Sequence, residues 1–392
     1  MRVADLTEVL RRRFDEFVGA LEEMVSIDSG TYSPAGVNRM ADLCERRFWG
    51  GGWQVERLEH TPVEGEQQFG DLVVGRLGAD GRSPRILLIG HTDTVFPDGT
   101  AEERPFRVEG DRAAGPGVSD MKSGLLGGFF AVEALQELGG PIGNLTYVCN
   151  PDEEIGSPFS TPVIRDLASV ADVALVLEGA RPDGSVVSRR KGVTDINIEV
   201  AGRAAHAGIE PEKGRSALLE AARLLLAFQE LNGRWPGVTV SVGVLEGGTR
   251  SNVIPEHARM AVDLRSPETA TLEEAEEEIR RLTASPYTPD VAVTMTACRW
   301  HGPMEKSKAS GRLVDLAAEV ARDLGFNLTD TATGGASDAC TTSAAGVPTL
   351  DGVGPIGSGD HSPSEAIDLT SIVPRVGLLA GIIARIAERG GI

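Results

Sequence analysis

Two polar residues end an apolar run in LLIGHTDTV, where Ile89 and Gly90 give way to His91 and Asp93. Alternation along an extended chain puts these two side chains on one side. The same event recurs in NLTYVCNPDEEIGS, which stops at Asp152, Glu153 and Glu154, and in VADVALVLEGA, which stops at Glu178. Two further segments carry candidates: Asp120 in the Gly-rich GPGVSDMKSG just before a helical run, and His361 in SGDHSPSE. Singly, each has a bland reading. Asp120 is an ordinary helix cap, His361 a loop histidine, Glu178 a solvated strand end, and Asp152–Glu154 an acidic turn. Jointly they put several carboxylates and two imidazoles at strand ends, and in open α/β sheets the carboxyl ends of strands collect where ligands bind. Crowded carboxylates repel in a partly dry cleft, and a metal ion held by neutral His and ionised carboxylates offsets them economically.

The elements that must position these residues can be read from periodicity. Between about residues 70 and 180, short apolar runs (Asp71–Arg76, Arg85–Gly90, Asn144–Cys149, Val173–Leu177) alternate with helical patterns (Ser123–Leu138, Pro162–Leu167), which predicts an α/β layer with helices packed on a sheet. Past about residue 190 the order becomes β-α-β-β-α-β: Thr194–Val200, Ser216–Asn232, Val238–Leu245, His257–Arg265, Thr271–Thr283 and Val291–Trp300. That is a split βαβ unit able to fold as a small α+β domain of its own. A helical run at Gly311–Leu324, a strand at Val347–Val353 and a final helix at Thr370–Glu388 return to the first texture. The small unit is therefore expected as an insertion, with residues 1–190 and 304–392 forming one domain and 191–303 the other. Before the first strand, Leu6, Val9, Leu10, Phe14, Phe17, Val18, Leu21 and Val25 space as one amphipathic helix with Asp5 as its cap.

Composition excludes some partners. The 392 residues include 58 acidic and 38 basic ones, a net charge of -20. Such a surplus opposes binding to phosphate backbones and anionic lipid, so neither nucleic acid nor membrane is expected as a partner. Arg11–Arg13 are followed by Asp15 and Glu16 rather than an export signal's apolar segment, and Leu125–Val132 and Val376–Ala384 are too short to cross a bilayer. Cys44, Cys149, Cys298 and Cys340 have no C-x-x-C spacing, which predicts reduced buried thiols and a cytoplasmic setting.

HTDTV, GPGVSDMKSG, PDEEIGS, LEGAR, AAHAG, RSNVIPEHARMAVDLR, GGASDA and GDHSPSE follow one another over nearly the whole chain. This set resembles the zinc exopeptidases of peptidase family M20, which include glutamate carboxypeptidases, acetylornithine deacetylase, succinyl-diaminopimelate desuccinylase and aminoacylase. PDEEIGS and HAG are most similar to the carboxypeptidase G branch. The resemblance implies a catalytic domain with a mixed sheet covered by helices and an inserted ferredoxin-like domain serving as lid and dimerisation module. It implies two zinc ions per subunit, with cobalt or manganese as substitutes, sharing Asp120 as a bridge, one also held by His91 and Glu178 and the other by Glu154 and His361. Asp93 would accept the free N–H of His91 and fix its tautomer. Glu153 would be the general base toward a water lying between metals about 3.5–4 Å apart. A cis peptide is implied between Asp120 and Met121.

The resemblance further implies that His206, in AAHAG, reaches the partner subunit's active site in a homodimer and stabilises an oxyanion there; by itself it reads as an exposed strand-end histidine. Asn252 and Arg265 would hold the substrate's carboxylate and carbonyl, with backbone N–H groups from Gly334 and Gly335. The plain alternative pairs Arg265 with Asp263 or Glu256. Arg189, Arg190, Lys191 and Arg299 are candidate cations for a glutamate side chain, without a clear match to the family's glutamate pocket. His60 and His257 read as surface residues. The implied activity is hydrolysis of an amide in a small N-acyl amino acid or peptide, releasing a C-terminal amino acid, with glutamate as one candidate. An N-acyl amino acid deacylase or desuccinylase is the alternative enzyme, and a non-catalytic metal-binding scaffold the alternative outside enzymes.

Overall fold

The computed structural model describes residues 3–63, 65–78 and 83–392. The chain divides into two compact units, Met1–Ser188 with Lys306–Ala332 and Ser337–Ile392, and Arg189–Glu305 with Thr333–Ala336. The second unit thus takes back four residues, Gly334 and Gly335 among them, that lie far beyond its main segment.

The first unit is built on a six-stranded mixed sheet in the order Gln54–Leu58, Leu72–Leu77, Asn144–Asn150, Arg85–His91, Val173–Val176, Thr349–Leu350. Arg85–His91 runs parallel to both of its neighbours, while Leu72–Leu77 is antiparallel to Asn144–Asn150. Ile86–Ile89 are buried on both faces, as expected for a parallel strand covered by helices. Register decides the site: His91 lies opposite Asn150 and Ile89 opposite Val176. The polar residues after each strand therefore leave the sheet at one edge. The helix Ser123–Glu137 packs close beneath them, where a Cβ on Gly124 would stand 1.8 Å from the Leu177 carbonyl oxygen. Glycine is required there for the Asp120 loop to approach the strand end that carries Glu178.

Several local expectations are corrected. The N-terminal periodicity is two helices, Val3–Arg12 and Phe14–Val25, and Asp5 sits inside the first turn rather than capping it. The break falls at Arg13, whose guanidinium pairs with Glu16 and Glu133 and lies 4.5 Å from the Phe130 ring centroid. The helix Pro34–Gly50 was not anticipated, although Pro34 at its first turn and buried Val37, Met40, Ala41, Cys44 and Phe48 carry its signal. The expected strand Val347–Val353 is confined to Thr349–Leu350. The segment Leu369–Arg389 is long and apolar enough to cross a bilayer, longer than the stretch read from sequence, but 78% of its most apolar window is buried inside the protein. It is a core helix, contributing Leu378, Leu379, Ile382 and Ile383 to the interior. Cys44, Cys149 and Cys340 are buried thiols outside any disulfide; Cys298, contrary to expectation, is exposed. His60 is buried too: its ring stacks on Phe69 and its Nδ1 accepts the Phe69 N–H at 3.1 Å.

The second unit is a four-stranded antiparallel sheet in the order Thr239–Gly247, His257–Ser266, Gly192–Ala201, Ala292–His301, with the helices Ala217–Gln229 and Thr269–Thr283 packed on it. Ser216 caps the first helix by accepting the Leu219 N–H at 3.1 Å. Ile196, Ile198 and Val200 alternate inward to meet Leu224, Phe228, Leu272 and Ile279, a ferredoxin-like split βαβ core.

Candidate metal centre and substrate-binding residues

His91 ends its strand almost fully buried, with Nδ1 3.0 Å from the Asp93 carbonyl oxygen and 3.3 Å from Asp93 Oδ1. With Nδ1–H donating to Asp93, the Nε2 lone pair faces the carboxylates. It lies 3.0 Å from Asp120 Oδ1, 3.6 Å from Glu178 Oε1 and 4.0 Å from Glu153 Oε2. Asp120 spans both histidines, since its Oδ2 lies 3.0 Å from His361 Nε2, and that same nitrogen lies 3.0 Å from Glu154 Oε2. His361 reaches this position from an exposed loop by adopting a φ of 60°, in the left-handed region. The Asp120–Met121 peptide is cis.

Electrostatics at this cluster favour a cation. Burial pushes the Glu153 carboxyl well above its ordinary range; His91 opposes the rise, and Glu178, Asp338 and Glu154 add to it. Glu154 is raised to about 7, chiefly by burial. Burial works against charge on His91, but its bonds to Asp120 and Asp93 and the nearby Glu178 and Glu153 outweigh that and raise it. His361 is raised to about 10, first by its bond to Asp120 and then by that to Glu154. Burial also disfavours charge on Asp120, yet His361 and His91 hold its carboxyl below the usual range. These groups draw positive charge to one spot.

The donor set fits metal ions on this structure's own terms. Ligand atoms of His91, Glu153 and Glu178 lie within 4.8 Å of one another, as do those of His91, Asp120 and Glu154. Glu154 Oε1 is buried and has no hydrogen-bond partner among the described residues, an orphaned acceptor that a cation would satisfy. Imidazole mixed with carboxylate suits zinc, and also cobalt or manganese. Glu153 stands as near His91 as a ligand would, so distance alone does not separate base from ligand.

The residues singled out for substrate binding all belong to the second unit. His206 is exposed and its Nδ1 accepts the Gly208 N–H at 3.1 Å, which places the neutral ring's proton on Nε2. It bridges to Val253, and Ala207 N–H donates to the Asn252 carbonyl at 3.0 Å, so His206 and Asn252 share one loop pair. Arg265 pairs with Asp263 at 2.9 Å, the plain reading of that residue, and also donates to the Gly334 carbonyl at 2.9 Å. Arg190 donates to the Gly335 carbonyl at 3.1 Å, and Arg299 is tied to Glu276.

Residues 87–385 match Peptidase family M20/M25/M40. The chain belongs to this family. It is a hydrolase of the metallopeptidase and amidohydrolase type. Carboxypeptidase G2 of Pseudomonas sp. (strain RS-16) is 29% identical over 370 residues, 93% of this chain and 88% of that protein. Acetylornithine deacetylase of Myxococcus xanthus is 27% identical over 257 residues, 62% of this chain and 65% of that protein. The fold is also that of aminopeptidase PepT from Bacillus cereus ATCC 10987, with a TM-score of 0.78 and 23% identity, covering 95% of this chain and 99% of that one.

In this M20 chain the cluster rests on supports that no local pattern marks. The buried Glu365 carboxylate accepts the N–H groups of Gly117, Ser119 and Asp120 at 2.9, 2.8 and 3.0 Å, which fixes the loop presenting Asp120. Burial raises Glu365 to about 7 against those three donors. Asp338, in the GGASDA segment, accepts from Asn150 Nδ2 and Ser157 Oγ, both at 2.6 Å, and so braces the turn that carries Glu153 and Glu154. Asp93 does more than orient an imidazole: its carboxylate also accepts the backbone N–H groups of that turn and the Thr31 hydroxyl.

Proposed function

We propose that the protein is a cytoplasmic, homodimeric two-metal amidohydrolase that releases a C-terminal amino acid, glutamate being one candidate, from N-acyl amino acids or short peptides. The observation that carries the reading is Asp120 standing between His91 and His361, each at 3.0 Å, beside the orphaned Glu154 oxygen. In this reading His91, Asp120 and Glu178 hold one zinc ion, and Asp120, Glu154 and His361 the other. Ions so held supply Lewis acidity, making water easier to deprotonate and an amide carbonyl more electrophilic.

The chain's own groups do the rest. Glu153 takes the proton of the attacking water and passes it to the leaving nitrogen. Asp93 keeps the His91 tautomer. Asn252 and Arg265, with backbone N–H groups of Gly334 and Gly335, hold the substrate's carboxylate and carbonyl, the planar guanidinium being well suited to the carboxylate. His206 donates Nε2–H to the oxyanion formed at the partner subunit's site. The second unit serves as lid and dimerisation module; its edge strand Thr239–Gly247 and exposed Leu226, Val244 and Leu245 support such a self-complementary contact.

The test is turnover by zinc-loaded protein across N-acyl glutamates, N-acetyl and N-succinyl amino acids and dipeptides, repeated with Glu153→Gln. The reading expects at least a ~100-fold loss of kcat in the variant with zinc content unchanged. A variant that keeps its activity would place the base elsewhere. Release of succinate or acetate from N-acyl amino acids in preference to the other substrates would favour the deacylase alternative.

A further inference from the structure

Arg375, in the core helix Ile372–Arg389, is only 2% exposed, and no carboxylate pairs with it among the described residues. It donates to three backbone carbonyls instead. Nε reaches the Gly354 oxygen at 2.9 Å, Nη1 the Gly184 oxygen at 2.9 Å and Nη2 the Gly352 oxygen at 2.6 Å. Burial lowers its pKa only to about 10, so the side chain stays charged at neutral pH. A buried charge without a counter-ion is unfavourable, and a helix that needed only core packing would be served as well by leucine or methionine. What the guanidinium adds is a rigid planar fork whose donors hold three points of the backbone at fixed separations.

The three carbonyls belong to the segments that present Glu178 and His361. Gly352 and Gly354 lie in a stretch that runs beside the residues around Glu178, where Gly354 N–H donates to the Glu178 carbonyl and Ala180 N–H to the Pro355 carbonyl, both at 2.9 Å. A Cβ on Gly354 would stand 2.7 Å from the Leu177 oxygen and 2.8 Å from the Glu178 oxygen, so this close approach needs glycine. Gly184 closes the turn that follows Glu178, its N–H donating to the Arg181 carbonyl at 2.7 Å. Past Ile356, whose N–H donates to Ser371 Oγ at 2.9 Å, the first stretch continues through Gly357 and Ser358, paired with Ile367 and Ala366, to His361. One side chain thus joins the backbone after Glu178 to the backbone before His361.

We propose that Arg375 is a positioning residue that fixes the separation of Glu178 from His361, and with it the register of the two halves of the metal centre. The inference rests on the proposed function, in which Glu178 and His361 hold different ions. Without the guanidinium, three inward-facing carbonyls lose their donor and the two segments are free to part.

Three variants test it. Arg375→Met keeps an apolar stem and removes the fork, Arg375→Lys keeps the charge on a single nitrogen, and Ile383→Ala removes buried packing about two turns further along the same helix. In protein loaded with manganese(II), the paramagnetic resonance signal of the spin-coupled pair should be altered in Arg375→Met, partly restored in Arg375→Lys and unchanged in Ile383→Ala, although each variant lowers the urea midpoint. Chelator competition should show at least one ion bound about tenfold or more weakly in Arg375→Met. In the metal-free protein, the Gly354 and Ala180 amides should exchange at least about tenfold faster, relative to the Leu88 amide, in Arg375→Met and Arg375→Lys but not in Ile383→Ala. Where Arg375→Met does not fold, Arg375→Lys carries all three measurements with the same signs. Wild-type coupling, affinity and exchange in the Arg375 variants, or an equal disturbance by Ile383→Ala, overturns the positioning role. A wild-type protein that binds no coupled pair overturns the two-metal reading instead, and amide exchange still decides whether Arg375 holds the two segments together.

Discussion

The Oδ1 of Asp93 accepts the backbone N–H of Glu153 at 3.1 Å, and its Oδ2 accepts that of Glu154 at the same distance. A buried carboxylate just past one strand end thereby holds the turn after the neighbouring strand, and its Oδ1 lies 3.3 Å from the His91 Nδ1 that also faces the Asp93 backbone carbonyl at 3.0 Å. Replacing Asp93 with Asn puts an amide NH2 where two acceptors are needed and leaves a backbone N–H unpaired. Metal affinity should fall about 10- to 100-fold, the usual effect of losing such a supporting contact. Competition with a calibrated chelator measures it; unchanged affinity would show that His91 and the Glu153 turn hold their places without Asp93.

Removing the carboxylate between the two imidazoles should act on both sites together. Asp120→Ala is expected to lose both metal ions, whereas Glu178→Ala should lose one more readily than the other. Elemental analysis after dialysis distinguishes the cases. Two tightly retained ions per chain in Asp120→Ala would refute the bridge.

If His206 serves the partner's site, His206→Ala and Glu153→Gln homodimers should each be inactive, yet a mixed dimer carries one site with both residues intact. Complete subunit exchange makes half the dimers mixed, each with one whole site of two, so about a quarter of wild-type activity should return. An oxyanion donor contributes about 10²–10³ in kcat, which sets this recovery well above either parent. No recovery, with exchange confirmed by mass labelling, would confine His206 to its own subunit or to no role.

His301, at the end of its strand in the second unit, is held to about 4 by burial, with the Arg190 charge adding to the effect. The unfolded imidazole takes up a proton near its ordinary value of 6.5. Between those values the unfolded chain binds more protons, so stability is full above pH 6.5 and declines as pH falls toward 4, by up to about 3 kcal/mol. His301→Gln removes this term, and its urea midpoint should fall less steeply over pH 6.5–4 than that of wild type. Equal slopes in the two proteins would show that His301 does not carry the acid sensitivity.

Much of the candidate site is legible in the sequence because its signals are local. Apolar runs that stop at His91, Glu153 and Glu178 announce strand ends by alternation, and the β-α-β-β-α-β order of the second unit follows from period alone. Neighbourhood is not local. That Arg85–His91 lies between Asn144–Asn150 and Val173–Val176 depends on which apolar faces bury each other, a choice made only when the whole sheet assembles. The supports were hidden for the same reason: Glu365 meets the Asp120 N–H across 245 positions, and Asp338 meets Asn150 across 188. Nothing near either acid in the chain marks it as an acceptor for buried donors. No motif surrounds His60 to mark it as buried, yet Phe69 and Phe159 close over its ring. Local pattern carries most of the elements and the chemical types at their ends, though not the helix Pro34–Gly50 or the break at Arg13. Which ends meet is settled in the folded molecule, since burial and backbone hydrogen bonding are satisfied by partners distant in the chain.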